Sequence, residues 1–212
     1  IGKLNVAAVQ ATLDRRVARH EVLRTSFLER DGMPWQQIAP EDCGFALTRE
    51  DLRHLSEAER DARVARSTAD EAHAPFDLGS GPLIRGRLLT LADDEHLLLI
   101  TQHHIISDGW SLKIIVQEVA TLYAAFCRGE ADPMPPLEIQ YADYAQWQRS
   151  WLQGEELARQ LDYWREHLTG APALLTLPLD RPRPELQSHA GGSIPVVLSP
   201  ELTAALRAFS QT

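Results

Sequence analysis

The chain has 212 residues, 44% of them hydrophobic, which is enough for one large domain with a sizeable core. Acidic residues outnumber basic ones by 30 to 21, and the resulting net charge of −9 argues against a nucleic-acid partner. No apolar run reaches about 18 residues and no signal-peptide pattern opens the chain, so neither a membrane span nor export is predicted.

The basic residues and cysteines indicate where the protein works. Lys3 and Lys113 are the only lysines among the 21 lysines and arginines, a bias that indicates a GC-rich bacterial coding sequence. Cys43 and Cys127 are too few for a disulfide framework, so we expect a reducing bacterial cytoplasm. Cys127 falls in an apolar helical pattern, which predicts a small buried side chain.

The first third of the chain predicts a helix, a hairpin and a second helix. Residues 4–27 open with a helix, because apolar residues recur there at helical steps: Val6, Val9, Leu13 and Val17. Residues 24–38 follow as a hairpin around the turn pair Asp31-Gly32. Residues 55–74 are rich in helix formers and start with the capping-box pair Ser56 and Glu59.

The middle of the chain predicts two strands and a helix. The strands are residues 83–91 and 95–103, and the second contains four consecutive apolar residues, 97–100. A strand with such a run is typically covered on both faces, so we expect it to be central in its sheet. Residues 112–126 predict a helix with one apolar side.

The last third is mainly helical. Residues 140–168 predict one or two aromatic-rich helices broken near Gly154, and the prolines of residues 177–192 predict an extended surface segment. A short strand at 194–198 and a final helix from Ser199 or Pro200 follow. The whole order predicts an α/β or α+β fold with a mixed sheet.

One segment, residues 102–111, combines polar side chains in a pattern suited to catalysis. It follows the apolar strand and precedes a helix, where α/β proteins place reactive groups. His103 and His104 end the strand, and in extended backbone their side chains point to opposite faces, so one can reach a cavity. Asp108 and Gly109 form a turn into the helix, whose first amides offer donors to developing negative charge.

Three other interpretations of this segment stay open. In the first, His103 and His104 are hydrogen-bonded core residues. In the second, they bind a metal together with Asp108, but adjacent strand residues diverge and no further cluster completes a ligand set, so we predict no metal. In the third, they belong to a Ser-His-Asp hydrolase, but the sequence contains no Gly-x-Ser-x-Gly motif.

Four segments of the chain resemble one protein family. Residues 103–111, HHIISDGWS, resemble the HHxxxDG motif of nonribosomal peptide synthetase condensation domains, members of the chloramphenicol acetyltransferase-like superfamily. Residues 19–27 are similar to the family's RHExLRTxF segment, residues 141–148 to YxDFAxWQ and residues 177–184 to LPxDRPRP. The segments occur in the family's order, and the resemblance covers essentially the whole chain.

The resemblance implies a chloramphenicol acetyltransferase-like lobe with a mixed β-sheet flanked by helices. Residues 1–198 are then the N-terminal lobe of a condensation domain without its first strand and first motif, and residues 199–212 begin a truncated C-terminal lobe. The first residue is Ile rather than Met, from which we also expect a piece of a longer chain. Since the family's active site lies between two lobes, we expect this piece alone to be inactive.

The resemblance also implies a reaction and its partners. An acceptor amine attacks a donor thioester and forms a peptide bond, with both groups carried on the 4′-phosphopantetheine of donor and acceptor peptidyl carrier proteins. No cofactor is therefore expected to bind the domain directly. The other expected partners are the adjacent adenylation domain and the missing C-terminal lobe, and no nucleic acid or membrane is expected.

Site roles follow from motif position. His104 handles the proton of the attacking amine, as a general base or by orienting the amine, while His103 supports the local structure. Asp108 is expected to be structural and to pair with Arg24 or Arg19, because a buried carboxylate needs such a partner.

Neighbouring residues are assigned in the same way. Gly109 keeps the tunnel open for the phosphopantetheine arm, and Trp110 and Ser111 lie beside the substrate, where Ser111 caps the helix. Aromatic residues at helical spacing are typical of core or inter-lobe packing, which we expect for Tyr141, Trp147, Trp151 and Trp164.

Three rival functions share these motifs in part. An epimerization domain has the same two histidines, but its motif tends to place Val after Asp-Gly, where this chain has Trp110. The second rival is a stand-alone acyltransferase that uses a coenzyme A or carrier thioester, and the three supporting segments argue against it. An inactive lobe that only docks carrier proteins is the non-enzymatic alternative, and the intact His104 and Gly109 argue against degeneration.

Overall fold

The structure is a computed structural model that describes residues 2–186, 192 and 194–211. These residues divide into two compact units between Leu161 and Asp162. The helices are α1 Val6–Arg19, α2 Glu57–His73, α3 Gly109–Cys127, α4 Tyr141–Trp151, α5 Gly154–His167 and α6 Pro200–Phe209. The strands are β1 Thr25–Arg30, β2 Met33–Ile38, β3 Leu47–Asp51, β4 Ile84–Thr90 and β5 His96–Gln102. This mixture of helices and strands confirms the predicted fold class.

Two sheets organise the larger unit. The hairpin of β1 and β2 is antiparallel and turns at Asp31 and Gly32, both of which adopt positive φ, as the turn pair predicted. The other sheet has the order β3-β4-β5, with β3 parallel and β5 antiparallel to β4. A parallel pair needs a crossover connection, and the segment containing α2 supplies it between β3 and β4.

The central strand of this sheet is β4, so the prediction that the strand with the run 97–100 is central is wrong for the described residues. Among the described strands β5 pairs with β4 alone and its residues are half-buried, whereas four of the seven residues of β4 are buried. β3 was not predicted, because its sequence LTRED is polar and short. Its pairing comes from the ladder that joins Leu47 to Gly86.

Local sequence patterns account for the helix starts. Asn5 caps α1 by accepting a hydrogen bond from the backbone N–H of Ala8, at 3.1 Å. The predicted capping box of Ser56 and Glu59 opens α2. The prediction of helices on either side of Gly154 is confirmed, since α4 ends at Trp151 and α5 begins at Gly154.

The core of the larger unit forms where α1 meets the start of β4. Leu13 and Val17 of α1 pack there with Leu23, Leu83 and Ile84. The expectation of a buried Cys127 is wrong, because this side chain is exposed. It lies two residues after the buried Ala125, which places it about 200° around the helix, away from the core.

The smaller unit confirms the predicted final helix but not the strand before it. Ser199 caps α6 by accepting from the N–H of Leu202, at 3.2 Å. Residues 194–198 form no strand and are exposed, since no neighbouring strand in the described part of this unit offers a hydrogen-bond ladder. Residues 177–186 are exposed and irregular as predicted, and residues 187–191 of that segment lie outside the described residues. Across the described chain, no helix is long and apolar enough to cross a bilayer.

Candidate active site

A hydrogen-bonded turn connects β5 to α3 and carries both predicted histidines. The backbone N–H of His103 donates to the carbonyl of Leu83 at 2.9 Å, and its carbonyl accepts from the N–H of Ile106 at 3.1 Å. The ring of His103 closes the turn, because its Nδ1 accepts from the N–H of Ile105 at 3.0 Å. His103 is half-buried, while the next residue, His104, is exposed at the tip of the turn.

Aromatic and cation–π contacts on β4 and before it also support the ring of His103. It meets the ring of Phe76 edge-on, with centroids 6.1 Å apart. The guanidinium of Arg85 lies over Phe76, 3.9 Å from the ring centroid, a cation–π contact. Arg85 in turn donates to Glu71 at 3.0 Å and to the carbonyl of Ala74 at 2.6 Å. A series of contacts therefore joins the turn to β4 and α2.

Asp108 begins α3 as its N-terminal cap. Its Oδ1 accepts from the backbone N–H of Ser111 at 2.9 Å and from the Ser111 hydroxyl at 2.7 Å. The N–H of Asp108 donates back to the Ser111 Oγ at 3.3 Å, which completes a capping box. Hydrogen bonds from Ser111 lower the pKa of the Asp108 carboxyl, and the charge of His104 adds a smaller effect in the same direction.

The prediction of an ion pair between Asp108 and an arginine is wrong, because no such pair is found among the described residues. Asp108 is exposed, so no buried carboxylate requires a cation there. Arg24 donates to the carbonyl of Ala39 and lies 3.8 Å from Glu21. Arg19 donates to Glu118 at 3.1 Å and to the carbonyl of Pro135 at 2.6 Å. Arg19 thus contacts α3, the helix that Asp108 begins, at a different residue.

Glu118 is the site residue that the sequence interpretation missed. It is 8% exposed and meets three basic side chains of the α1 end: His20 Nε2 at 2.6 Å, Arg19 Nε at 3.1 Å and Arg16 Nε at 3.6 Å. Burial lowers the pKa of His20 and outweighs the opposing effect of Glu118. A signal existed in the sequence, since Glu118 lies in the apolar stripe with Ile115 and Leu122, where a carboxylate needs a partner.

A cavity of about 430 Å³ brings His104 and Asp108 together with the end of α1. Its wall includes Ser111 on α3 and both Arg16 and His20 on the opposite segment, and most of the rest is aliphatic. Gly109, Trp110 and His103 are not among its lining residues in the described chain. Trp110 is 88% exposed, and a Cβ added to Gly109 would meet no atom within 4 Å.

The two histidines are not arranged as metal ligands. The ring of His103 is tied into the turn, whereas His104 is exposed one residue later. Among the described residues, no three His, Cys, Asp or Glu side chains come together in a set that could hold a metal ion.

An exposed row of aromatic rings runs along α4. Tyr141, Tyr144, Trp147 and Trp151 follow one another with ring centroids 5.6–5.7 Å apart, and the two tryptophan rings are stacked. The prediction of core packing is wrong for Tyr141, Trp147, Trp151 and Trp164, because all four are exposed. Their alternative assignment to inter-lobe packing stays a prediction.

One protein family matches the whole chain. The family model for the condensation domain matches residues 1–212. The chain is 49% identical over 210 residues to malpibaldin synthetase of Mortierella alpina, covering 99% of this chain and 4% of that protein. It is 45% identical over 210 residues to one of the linear gramicidin synthase proteins of Brevibacillus parabrevis, covering 99% of this chain and 3% of that protein. The chain therefore spans only a few per cent of these relatives.

Solved structures show the same fold. The X-domain from teicoplanin biosynthesis is 34% identical with a TM-score of 0.77, over 90% of this chain and 42% of that one. The epimerization domain from the third module of tyrocidine synthetase B has a TM-score of 0.72, over 84% of this chain and 40% of that one. Its identity of 24% supports a shared fold only. The match over the full length and the identity to these synthetases place this chain in the condensation domain family.

Proposed function

We propose that the chain is the part of a nonribosomal peptide synthetase condensation domain that supplies His104. The complete domain joins an acceptor amine to a donor acyl group, both delivered as thioesters on the phosphopantetheine arms of carrier proteins. The observation that carries this proposal is the exposed His104 on a hydrogen-bonded turn at the wall of the 430 Å³ cavity. Family membership supports the reaction class.

The chemistry requires a group that handles one proton. The neutral amine nitrogen bonds to the thioester carbonyl carbon, the C–S bond breaks, and a proton passes from the new ammonium to the departing thiolate. An imidazole suits this role because histidine titrates near neutral pH. His104 acts at this step as a general base or by orienting the amine.

The start of α3 supplies electrostatic stabilisation of the reaction. The first amides of a helix have no intrahelical partner and carry a partial positive charge, which stabilises negative charge developing on a carbonyl oxygen. Asp108 and Ser111 fix this helix start beside His104 through the capping box. Gly109 leaves open space there, which we assign to the phosphopantetheine arm. Trp110 and Ser111 border that space as substrate-binding residues.

The activity belongs to the complete domain with its carrier proteins and adenylation domain. This chain spans 42% of the teicoplanin X-domain chain, so we expect the piece alone to be inactive. A bacterial cytoplasmic location is proposed from residue composition alone.

The epimerization reaction is the second candidate, since the epimerization domain of tyrocidine synthetase B shares the fold. It would move a proton at the α-carbon of one tethered residue and form no new bond between two substrates. Product analysis separates the two functions: condensation yields a dipeptidyl thioester on the acceptor carrier, whereas epimerization yields an inverted single residue on its own carrier.

The test uses the full-length synthetase that contains this chain, with donor and acceptor carriers loaded. We expect His104→Ala to abolish the dipeptidyl product detected by mass spectrometry. His54→Ala, at an exposed histidine outside the cavity, is the matched control and should leave product formation unchanged. Near-normal product from His104→Ala would overturn the assignment of His104, and an inverted single residue as the sole product would replace condensation by epimerization.

A further inference from the structure

Arg16 is a buried cation with one hydrogen-bond donor, its Nε, that has no partner within the described residues. It lies on α1 and is 4% exposed. A guanidinium carries several N–H donors, but within the described residues the Nε of Arg16 is buried with no hydrogen-bond partner. Its polar neighbour is Glu118, whose Oε2 lies 3.6 Å from the Arg16 Nε, within ion-pair distance. An unsatisfied buried donor is costly, so it requires an explanation.

The charges around Arg16 do not balance. Glu118 is shared with Arg19 and with His20, and Arg15 pairs with Asp132 at 2.6 Å. Burial lowers the pKa of His20 below its ordinary value of 6.5, which favours the neutral form of this ring.

The cluster on α1 and its partners therefore hold three guanidinium groups and two carboxylates. Asp108, which also lines the cavity, is exposed and accepts hydrogen bonds from Ser111, and no ion pair joins it to Arg16 among the described residues. One guanidinium of this cluster is therefore without a carboxylate of its own, and buried charges of this kind require a partner of opposite sign.

The cavity supplies the place for that partner. Arg16 lines the same cavity as His104, and much of the remaining wall is aliphatic: Ile106, Ile114, Ile115, Leu137 and Ile139. A few charged or polar groups placed among apolar side chains are how small-molecule sites fix the orientation and identity of a ligand.

We propose that Arg16 is a specificity-determining residue that pairs with a carboxylate on the side chain of an aminoacyl group held in this cavity. The proposal rests on the proposed condensation function, because a tethered residue has its own α-carboxyl group in the thioester. The carboxylate must then come from the side chain, so the substrate class is an acidic aminoacyl group. Its aliphatic stem would contact the isoleucine and leucine side chains while His104 faces the reacting carbonyl or amine.

The experiment compares isosteric substrates in the full-length synthetase that contains this chain. Aspartyl and asparaginyl groups, and glutamyl and glutaminyl groups, are loaded onto the donor and the acceptor carriers in turn, and initial rates of dipeptide formation are measured. At one of the two positions we expect the carboxylate substrate to react about 10- to 100-fold faster than its amide, the range expected for a hydrogen bond to a charged group. Arg16→Leu should abolish that preference, and Arg16→Lys should retain part of it.

Arg66→Leu is the matched control, since Arg66 is exposed on α2 and does not line the cavity. It should leave the preference unchanged. Arg16→Leu should lower the rate with the carboxylate substrate far more than the rate with the amide substrate, because only the carboxylate pairs with the guanidinium. The ratio of the two rates cancels any general effect of the substitution on the folded domain.

Each outcome separates this proposal from the proposed function. Dipeptide formation with an acid-to-amide ratio that Arg16→Leu does not change overturns the role of Arg16 and leaves condensation standing. A lower melting temperature of Arg16→Leu with an unchanged ratio also overturns it, because Arg16 would then pair with another part of the synthetase. No dipeptide from the unmodified enzyme with any substrate would count against condensation itself.

Discussion

The Nδ1 atom of His103 accepts a hydrogen bond from the backbone N–H of Ile105, 3.0 Å away. This contact spans the residue between them, His104, and so closes the turn around it. In a neutral His103 ring the proton is then on Nε2, because Nδ1 acts as the acceptor. The orientation of His104 therefore depends on the acceptor atom that His103 offers to the N–H of Ile105.

We therefore expect His103→Leu to lower kcat about 10²-fold with little change in KM, since a small displacement of a reactive group has an effect of that size. His103→Asn places an amide oxygen near the position of Nδ1 and should recover much of the rate. Steady-state kinetics of the full-length synthetase check both variants. Equal losses for Leu and Asn would show that the ring acts in some other way than as this acceptor.

The cap of α3 predicts a change in stability. Asp108→Ala removes the acceptor for the N–H of Ser111, and loss of such a cap is expected to lower the melting temperature by about 2–4 °C together with activity. Asp108→Asn keeps an acceptor oxygen and should melt close to the unmodified protein. Calorimetry measures the shift. Lost activity at unchanged stability in Asp108→Ala would instead mean that this carboxylate contacts the reacting groups.

The buried carboxylate of Glu118 predicts a larger loss of stability than the cap of α3. Glu118→Gln leaves Arg16 and Arg19 without their shared negative partner, which is expected to lower the free energy of unfolding by about 3–5 kcal/mol. Glu130→Gln is the control, because its ion pair with Arg128 is exposed and should not measurably affect stability. Urea unfolding of the complete domain gives both values. Similar midpoints for the two variants would contradict the importance of the Glu118 cluster.

The same cluster predicts a pH dependence. Burial lowers the pKa of folded His20 below 6.5, against the effect of Glu118 and together with the charges of Arg16 and Arg19. The unfolded chain then takes up a proton more readily, so stability falls as the pH drops below about 6.5 and stops falling below the folded pKa.

A variant isolates the contribution of this ring. His20→Gln keeps a donor towards Glu118 without a titrating ring, so its melting temperature should fall less steeply between about pH 7.5 and about pH 5.5. Thermal melts across that range, with His54→Gln as the exposed control, check the slope. Parallel slopes for His20→Gln and the unmodified protein would assign the decline to other groups.

Gly86 lies where a side chain would collide with its neighbours. A Cβ on Gly86 would lie 2.8 Å from the ring of Phe45 and 3.1 Å from the carbonyl of Leu99, so Gly86→Ala should lower the free energy of unfolding by about 1–3 kcal/mol.

Gly109, in contrast, has open space around it. Gly109→Ala should therefore leave the melting temperature unchanged while slowing the reaction of carrier-bound substrates. Full activity of Gly109→Ala would argue against passage of the phosphopantetheine arm at this position.

Local patterns predicted more of the fold than of the site. The capping box of Ser56 and Glu59 and the turn at Asp31-Gly32 involve residues close in sequence, and both were visible without the structure. β3 escaped prediction because its pairing depends on a strand nearly 40 residues later, as the separation of Thr48 and Gly86 shows. The cluster around Glu118 joins residues 98 positions apart, a pairing that periodicity does not encode.

The contacts from Glu71 through Arg85 and Phe76 to His103 connect helix α2 with the turn that carries His104. No residue of α2 lines the cavity in the described chain. Engineering libraries restricted to the cavity wall would therefore miss positions that influence the turn from outside the cavity. Saturation of Glu71 and its neighbours on α2 is the place to look for variants whose turnover changes while their choice of substrate does not.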